Sequence, residues 1–166
     1  MNEDVLQRAR GVRLAIFDVD GVMTDGNLYF GPRGEAMKVF HIQDGNGLKL
    51  LQKAGVATAI LSGRKSTMVA KRAKELTIAH VIQGTGDDKV PDFEGLLKKL
   101  KLRAEQCSFM GDDIQDLAVL KRVGLAVAPS NAVDAVKSAV HYVCKAHGGR
   151  GAIRELCDLV IQAKEK

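Results

Sequence analysis

Short apolar runs alternate with amphipathic segments along this chain. The apolar runs are bounded by Gly, Asp or polar clusters and are too short to form helices. This pattern is typical of strands that are buried on both faces, as in a parallel sheet. The predicted strands span residues 14–17, 56–61, 80–82, 107–110 and 125–128.

Helical periodicity fills the intervals between these runs. In residues 93–100 the apolar positions recur at i, i+3, i+4 and i+7, and Pro91 stands near the start, where a missing N–H costs nothing. A second apolar stripe, from Ile153 to Ile161, predicts a last helix. Alternating strands and helices indicate a doubly wound α/β fold of parallel strands, whose functional residues follow the carboxyl ends of the strands.

One segment breaks the alternation. Residues 27–30 and 38–41 read as extended stretches, and the turn-forming sequence Gly31-Pro32-Arg33-Gly34 separates them. We therefore expect a β-hairpin that projects from the sheet. The chain has no internal repeat or linker, so residues 1–166 are expected to form one domain.

Composition excludes several classes of protein. Apolar residues make up 46% and charged residues 27% of the chain, which is ordinary for a globular protein. The formal net charge is +5, but the Lys and Arg residues are spread out, and only two Tyr and five Phe could stack on bases. We therefore expect no nucleic-acid partner, and the charge balance suits a small anionic substrate.

The cysteines and the apolar segments indicate the cellular compartment of the protein. Cys107, Cys144 and Cys157 are odd in number and far apart, which fits neither a disulfide framework nor a zinc site. The N-terminal segment is polar, and no apolar run approaches the roughly 18 residues of a membrane span. We expect a cytoplasmic protein with reduced thiols and no membrane partner.

An acidic pair follows the first predicted strand. Asp18 and Asp20 are two residues apart, so an extended backbone points both carboxylates in the same direction and offers a site for a hard cation. A calcium loop would require Asp or Asn at the fifth position and Gly at the sixth, where Val22 and Met23 stand. The EF-hand interpretation is therefore excluded.

Three further polar groups follow later strands in the same way. They are Ser62, Lys89 and the sequence Gly111-Asp112-Asp113-x-x-Asp116. A lone Asp-x-Asp is commonly a solvated turn, and a lone Gly-Asp-Asp is commonly a helix cap. All four groups occur here in order, and in this the chain resembles the haloacid dehalogenase superfamily across residues 14–128.

The resemblance implies a phosphoryl-transfer site that depends on Mg²⁺. Asp18 would be the nucleophile, and Asp20 would serve as general acid and then general base. Asp18, Asp112 and the backbone carbonyl of Asp20 would bind Mg²⁺. Ser62 and Lys89 would bind the phosphoryl group.

The two remaining acids of the last motif leave alternatives open. Asp116 lies four residues after Asp112, so a helix would place both on one face, where Asp116 could orient Lys89 or metal-bound waters. Asp113 could act similarly or could be an acid at a helix N-terminus.

A narrower resemblance covers nearly the whole chain. Residues 18–26, 38–45, 61–64 and 148–155 are similar to the 3-deoxy-D-manno-octulosonate 8-phosphate phosphatase family. Neither usual position for a cap domain has room for one. The resemblance implies a phosphorylated sugar acid as substrate, a role in lipopolysaccharide precursor synthesis, and a homotetramer in which hairpins and glycine-rich tails of neighbouring subunits supply the lid.

The same resemblance implies a set of substrate-binding residues. Asp20 and Lys89 belong to it from the motifs above, and the others are Arg64, Arg72, Lys49, Arg150 and the loop His41, Ile42, Gln43, Asp44 and Gly45. His41 and Gln43 replace a more usual Asn and Arg. Arg72 and Lys49 are equally typical of solvated helix charges.

Two alternative functions use related chemistry. One is a phosphatase for a nine-carbon keto-sugar acid, from which the motifs do not distinguish an octulosonate phosphatase. The other is a phosphoacceptor signalling module, which shares the acidic cluster, the magnesium and the lysine. Such a module carries its acceptor Asp after a later strand, where this chain has Ser62.

Overall fold

A computed structural model describes residues 2–165. Within that range the strands are β1 (Leu14–Phe17), β2 (Tyr29–Gly31), β3 (Gly34–Met37), β4 (Ala57–Ser62), β5 (His80–Gln83), β6 (Cys107–Met110), β7 (Leu125–Ala128) and β8 (Tyr142–Val143). The α-helices are α1 (Glu3–Arg10), α2 (Ile42–Lys53), α3 (Thr67–Glu75), α4 (Val90–Leu100), α5 (Leu117–Leu120), α6 (Asp134–Lys137) and α7 (Ala152–Lys164).

Six strands form one parallel sheet in the order β5-β4-β1-β6-β7-β8. β1 and β6 lie at its centre, and their residues are fully buried. The five strands predicted from sequence are confirmed, with β4 displaced by one residue. β8 was not predicted, because Tyr142–Val143 is only two residues long.

Alternate residues of each strand point to opposite faces of the sheet, and helices cover both faces. Ala15 and Phe17 of β1 pack in the cluster that contains residues of α1, α2, α3 and α7. Leu14 and Ile16 pack in the second cluster, with α4 and α5. Two separate cores on one parallel sheet are the doubly wound arrangement predicted from sequence.

The hairpin is present, but its second strand lies earlier than predicted. β2 and β3 pair antiparallel as a separate sheet, and Gly31 lies opposite Gly34 across the turn at Pro32 and Arg33. The prediction of a strand over residues 38–41 was wrong, because that segment leaves the hairpin and leads into α2. Phe30 is 68% exposed, so the hairpin adds little to the buried core of the chain.

The first helix was missed because its apolar stripe is minimal. α1 buries only Val5 and Ala9, and it begins at Asn2, whose side chain accepts a hydrogen bond from the Asp4 N–H. It packs against α7. The cap and the early acids Glu3 and Asp4 identify the start of this helix, although its hydrophobic pattern does not.

No helix among the described residues is long and apolar enough to cross a membrane.

Candidate active site

A cleft of about 470 Å³ lies where the parallel strands end. β1 leads into Asp18 and Asp20, β4 ends at Ser62, and β6 leads into Asp112. The cleft is lined by Asp18, Asp20, Gly26, Ser62, Gly63, Arg64, Gly86, Asp87, Lys89, Asp112, Asp113, Gln115 and Asp116. The four sequence motifs therefore meet in one place, as the position of each after a strand predicted.

A buried lysine links two of the acids. The Lys89 side chain is 4% exposed, and its Nζ lies 3.0 Å from Asp18 Oδ1 and 2.7 Å from Asp116 Oδ1. Burial lowers the pKa of Lys89, but the two carboxylates outweigh it and the net shift is upward. Lys89 is therefore a fixed positive charge beside Asp18, and Asp116 holds it there.

The helix geometry expected for Asp116 was wrong. Asp113 caps a short 3-10 helix over Ile114–Asp116, so Asp112 and Asp116 do not share the face of an α-helix. The Asp116 side chain folds back, and its Oδ2 accepts hydrogen bonds from the N–H groups of Asp112 (2.9 Å) and Asp113 (3.3 Å). Asp116 thus organises the loop and Lys89 at the same time.

The acids of the cleft could hold a divalent cation. Carboxylate oxygens of Asp18, Asp112 and Asp116 lie within 4.8 Å of one another. Both Asp116 oxygens are already engaged, Oδ1 by Lys89 and Oδ2 by two N–H groups, whereas Asp18 meets Lys89 through Oδ1. Asp18 and Asp112 are therefore the residues that remain to bind a metal, and their oxygen-only chemistry suits a hard ion.

The electrostatics of the cluster point to the same conclusion. Burial and the neighbouring Asp116 raise the pKa of Asp18 to about 6, despite the opposing effect of Lys89. Burial and the carboxylates of Asp18 and Asp116 raise the pKa of Asp112 to about 8. Three carboxyl groups share one ammonium group, so ionising all three together requires a further positive charge.

The loop after Asp18 can form only with glycine at position 21. Gly21 has φ +85°, and a Cβ there would collide with the Asp112 carboxylate. The Thr24 hydroxyl accepts hydrogen bonds from the N–H groups of Gly21 and Gly26, both at 3.2 Å. The loop therefore turns tightly and brings the two halves of the acidic cluster together.

The glycine-rich tail binds this loop within the same chain. The Gly149 N–H donates to the Val22 carbonyl at 2.9 Å. Asn131 joins the two segments, because its amide donates to the Gly21 carbonyl (3.0 Å) and accepts from the Gly148 N–H (2.6 Å). Gly148 and Gly149 thus contact the loop after Asp18 of their own chain, and sequence reasoning missed Asn131.

Most of the residues expected to bind substrate lie outside the cleft lining. Of that set only Asp20, Arg64 and Lys89 line it. The residues outside are His41, Ile42, Gln43, Asp44, Gly45, Lys49, Arg72 and Arg150. The single chain therefore brings together the residues for phosphoryl chemistry but not the set expected to contact the sugar.

Three of the outlying residues have other contacts in this chain. Asp44 is buried and accepts hydrogen bonds from the N–H groups of Gly151 (3.3 Å) and Arg154 (2.8 Å), so it caps the start of α7. Arg72 lies over the Phe40 ring, 5.9 Å from its centroid. Arg150, 70% exposed, lies 3.8 Å from Asp25.

Two hairpin residues at the mouth of the cleft were missed from sequence. Lys38 Nζ lies 2.6 Å from Asp20 Oδ1 and 2.9 Å from Glu35 Oε1. Glu35 also binds Arg64, at 2.8 Å. Lys38 and Glu35 reach the site only because the hairpin folds over Asp20. No spacing of residues in the sequence predicts that contact.

Comparison with known proteins shows which class of protein this chain belongs to. Residues 81–156 match the family model of haloacid dehalogenase-like hydrolases. A 3-deoxy-D-manno-octulosonate 8-phosphate phosphatase from Yersinia pestis is 43% identical over 99% of this chain and 87% of its own length. The enzyme of that name from Escherichia coli strain K12 is 40% identical over 100% of this chain and 88% of its own length.

Comparison with solved structures identifies the same family as these sequence relatives. A crystal structure of 3-deoxy-D-manno-octulosonate 8-phosphate phosphatase from Moraxella catarrhalis, in complex with magnesium ion, phosphate ion and KDO, superposes with a TM-score of 0.96. It is 38% identical and covers 99% of this chain and 94% of that one. The chain belongs to the 3-deoxy-D-manno-octulosonate 8-phosphate phosphatase family of haloacid dehalogenase-like hydrolases.

The raised pKa values predict how metal-free stability depends on pH. The folded pKa of Asp112, about 8, lies above the ordinary value of 3.8, so folding stability is lost as pH rises from about 4 to about 8. Asp112→Asn cannot ionise and should escape this loss. In EDTA its Tm should exceed that of the wild type by roughly 3–8 °C at pH 8.5, and the difference should shrink toward pH 5.

Scanning calorimetry across this pH range measures the effect, and Asp92→Asn on the exposed face of α4 is the matched control. Divalent cation should raise the Tm of the wild type much more than that of Asp112→Asn at pH 8.5. A wild type that is the more stable protein at every pH without metal would contradict the electrostatic account.

Proposed function

We propose that this protein hydrolyses the phosphate monoester of 3-deoxy-D-manno-octulosonate 8-phosphate in lipopolysaccharide precursor synthesis. The observation that carries the proposal is Asp18 held beside Lys89 and within reach of Asp112 at the bottom of the cleft. The relatives at 40–43% identity support the choice of substrate. The free, buried cysteines are compatible with action in the cytoplasm.

Asp18 is the proposed nucleophile. Its carboxylate attacks phosphorus and forms an aspartyl-phosphate, which water then cleaves, so one difficult displacement becomes two easier ones. Lys89 lies 3.0 Å from Asp18 Oδ1 and can contact a phosphoryl oxygen from that position. Ser62, buried at the end of β4, offers its hydroxyl to a second oxygen.

Asp20 is the proposed general acid and base. It lines the cleft two residues beyond Asp18, and its Oδ2 has only a 3.4 Å contact with the exposed Arg64, so Oδ2 is available to the leaving-group oxygen. In the first displacement it gives a proton to that oxygen. In the second it accepts a proton from the attacking water.

Mg²⁺ is the proposed cofactor. Asp18, Asp112 and the backbone carbonyl of Asp20 would hold it, and when bound it offsets the negative charge shared by the nucleophile and the phosphate. The raised pKa values of Asp18 and Asp112 support this assignment, because burial and the neighbouring carboxylates outweigh the single positive charge of Lys89. The magnesium in the Moraxella catarrhalis enzyme supports it as well.

The proposal predicts a substrate preference. Phosphate release from 3-deoxy-D-manno-octulosonate 8-phosphate should be at least about 10-fold more efficient in kcat/KM than release from a nine-carbon keto-sugar acid 9-phosphate, since a pocket fitted to one chain length loses contacts with another. A malachite-green phosphate assay with both esters measures this. The opposite preference would favour the nine-carbon phosphatase and would leave the hydrolytic chemistry intact.

Asp18→Asn should abolish turnover while preserving the fold. The amide keeps the shape of the side chain but loses the nucleophilic oxygen, so activity should fall below about 1% of wild type. The same assay, with circular dichroism as the folding check, tests this. Asp92→Asn, an exposed change on α4, should retain full activity. Substantial turnover by a folded Asp18→Asn protein would reject the nucleophile assignment.

We further propose that the hairpins join four copies of this chain. Apolar side chains on the hairpin and its exit are exposed, namely Leu28, Phe30, Met37, Val39 and Ile42. A monomer rarely leaves so many together in water. The hairpin has few contacts with its own core, so a second copy is the occupant that would bury it.

Light scattering should therefore give a tetramer at micromolar concentration. Phe30→Asp places a charge on the most exposed aromatic residue, at 68%, and should shift the protein to smaller species. Val81→Asp on edge strand β5, where the side chain is 38% exposed, should leave the tetramer unchanged. A monomeric wild type would overturn the assembly proposal.

A further inference from the structure

A buried lysine joins the hairpin to the cleft. Lys38 directly follows β3, and its side chain is 3% exposed. Its Nζ lies 2.6 Å from Asp20 Oδ1 and 2.9 Å from Glu35 Oε1. A lysine this deeply buried requires carboxylate partners, since an unpaired buried charge is costly. Lys38 is absent from the cleft lining, so its ammonium group is directed at Asp20 rather than at substrate.

The two oxygens of Asp20 are held in different ways. Oδ1 accepts a short, charge-assisted hydrogen bond from a buried donor. Oδ2 lies 3.4 Å from Arg64 Nη1, and the Arg64 side chain is 48% exposed. Such a long contact to a solvated side chain is weak and readily exchanged. Oδ1 is therefore fixed, and Oδ2 is the oxygen that can change partner when a substrate enters.

We propose that Lys38 is a positioning residue for phosphoryl transfer. By binding Oδ1, it directs Oδ2 of Asp20 toward the leaving-group oxygen. This inference rests on the proposed function, in which Asp20 is the general acid. When the ester P–O bond breaks, its electron pair goes to the leaving oxygen, which takes the proton from Oδ2. In the second displacement Oδ2 accepts a proton from water, and Lys38 keeps its own protons throughout.

Glu35 makes this arrangement electrically balanced. Its carboxylate contacts both cations, Lys38 at 2.9 Å and Arg64 at 2.8 Å. With Asp20 ionised, the cluster contains two carboxylates and two cations; when Asp20 carries the proton that it donates as general acid, Glu35 still offsets one of the two cations. Glu35 lies on β3 and Lys38 directly after it. The position of the hairpin therefore sets the orientation of Asp20.

A leaving-group comparison tests the proposal. Lys38→Met keeps the length and apolar volume of the side chain but removes the donor. For 3-deoxy-D-manno-octulosonate 8-phosphate, whose alkoxide must be protonated, kcat/KM should fall about 100-fold. For p-nitrophenyl phosphate, whose phenolate leaves without a proton, the fall should be less than about 5-fold. kcat/KM reports only the steps up to the first product release, so the second displacement does not affect the comparison.

Three controls separate positioning from folding. A partly unfolded sample loses activity with both esters equally, so the ratio of the two kcat/KM values is insensitive to misfolding. Lys38→Arg restores a cationic donor and should recover at least about 10-fold of the loss with the sugar ester. Lys98→Met, an exposed change on α4, should alter neither value.

Asp20→Asn distinguishes this proposal from the proposed function. Suppose that Asp20→Asn loses kcat/KM selectively with the sugar ester while folded Lys38→Met does not. In that outcome Lys38 is not a positioning residue, and the role of Asp20 stands. Equal losses with both esters in folded Lys38→Met lead to the same conclusion. If Asp20→Asn shows no selectivity, the general-acid assignment fails and the role of Lys38 fails with it.

Discussion

The site depends on a shortage of positive charge around one buried ammonium group. Lys89 neutralises part of the charge on Asp18 and Asp116, and Asp112 is left with a pKa of about 8. The fold imposes this shortage, because the parallel strands carry their following loops to one edge and burial keeps water away. The electrostatic conflict that is expected to destabilise the metal-free protein also favours binding of a cation, so stability and function oppose each other at these residues.

The sequence was sufficient to predict a site residue wherever that residue directly follows a strand. Asp18, Ser62 and Asp112 each follow a strand, and a parallel sheet places all such residues at one edge. Sequence reasoning failed where a site residue depends on a distant segment. Asn131 matters because it joins Gly21 to Gly148, and no local pattern records that contact.

The failures in secondary structure have similar causes. The hairpin was recognised from its turn, but its second strand was placed too late, because Val39 and Phe40 are typical strand residues although their segment leads into α2. Asp116 was placed on an α-helix, although a 3-10 turn precedes α5 and reverses its side chain. Hydrophobic periodicity predicts single helices and strands, whereas residues 38–41 and Asp116 lie in the connections between them.

The contact between the glycine-rich tail and the loop after Asp18 has a consequence for biosynthesis. Gly148 and Gly149 support a loop made more than a hundred residues earlier, and α7 packs on α1 and α2 from the first third of the chain. A ribosome therefore synthesises Asp18 long before it synthesises the segment that binds the loop after it. Pairings this distant in sequence are slow to form. The cleft around Asp18 therefore cannot be completed until the segment with Gly148, Gly149 and α7 has been synthesised, which is after the last strand of the sheet, β8.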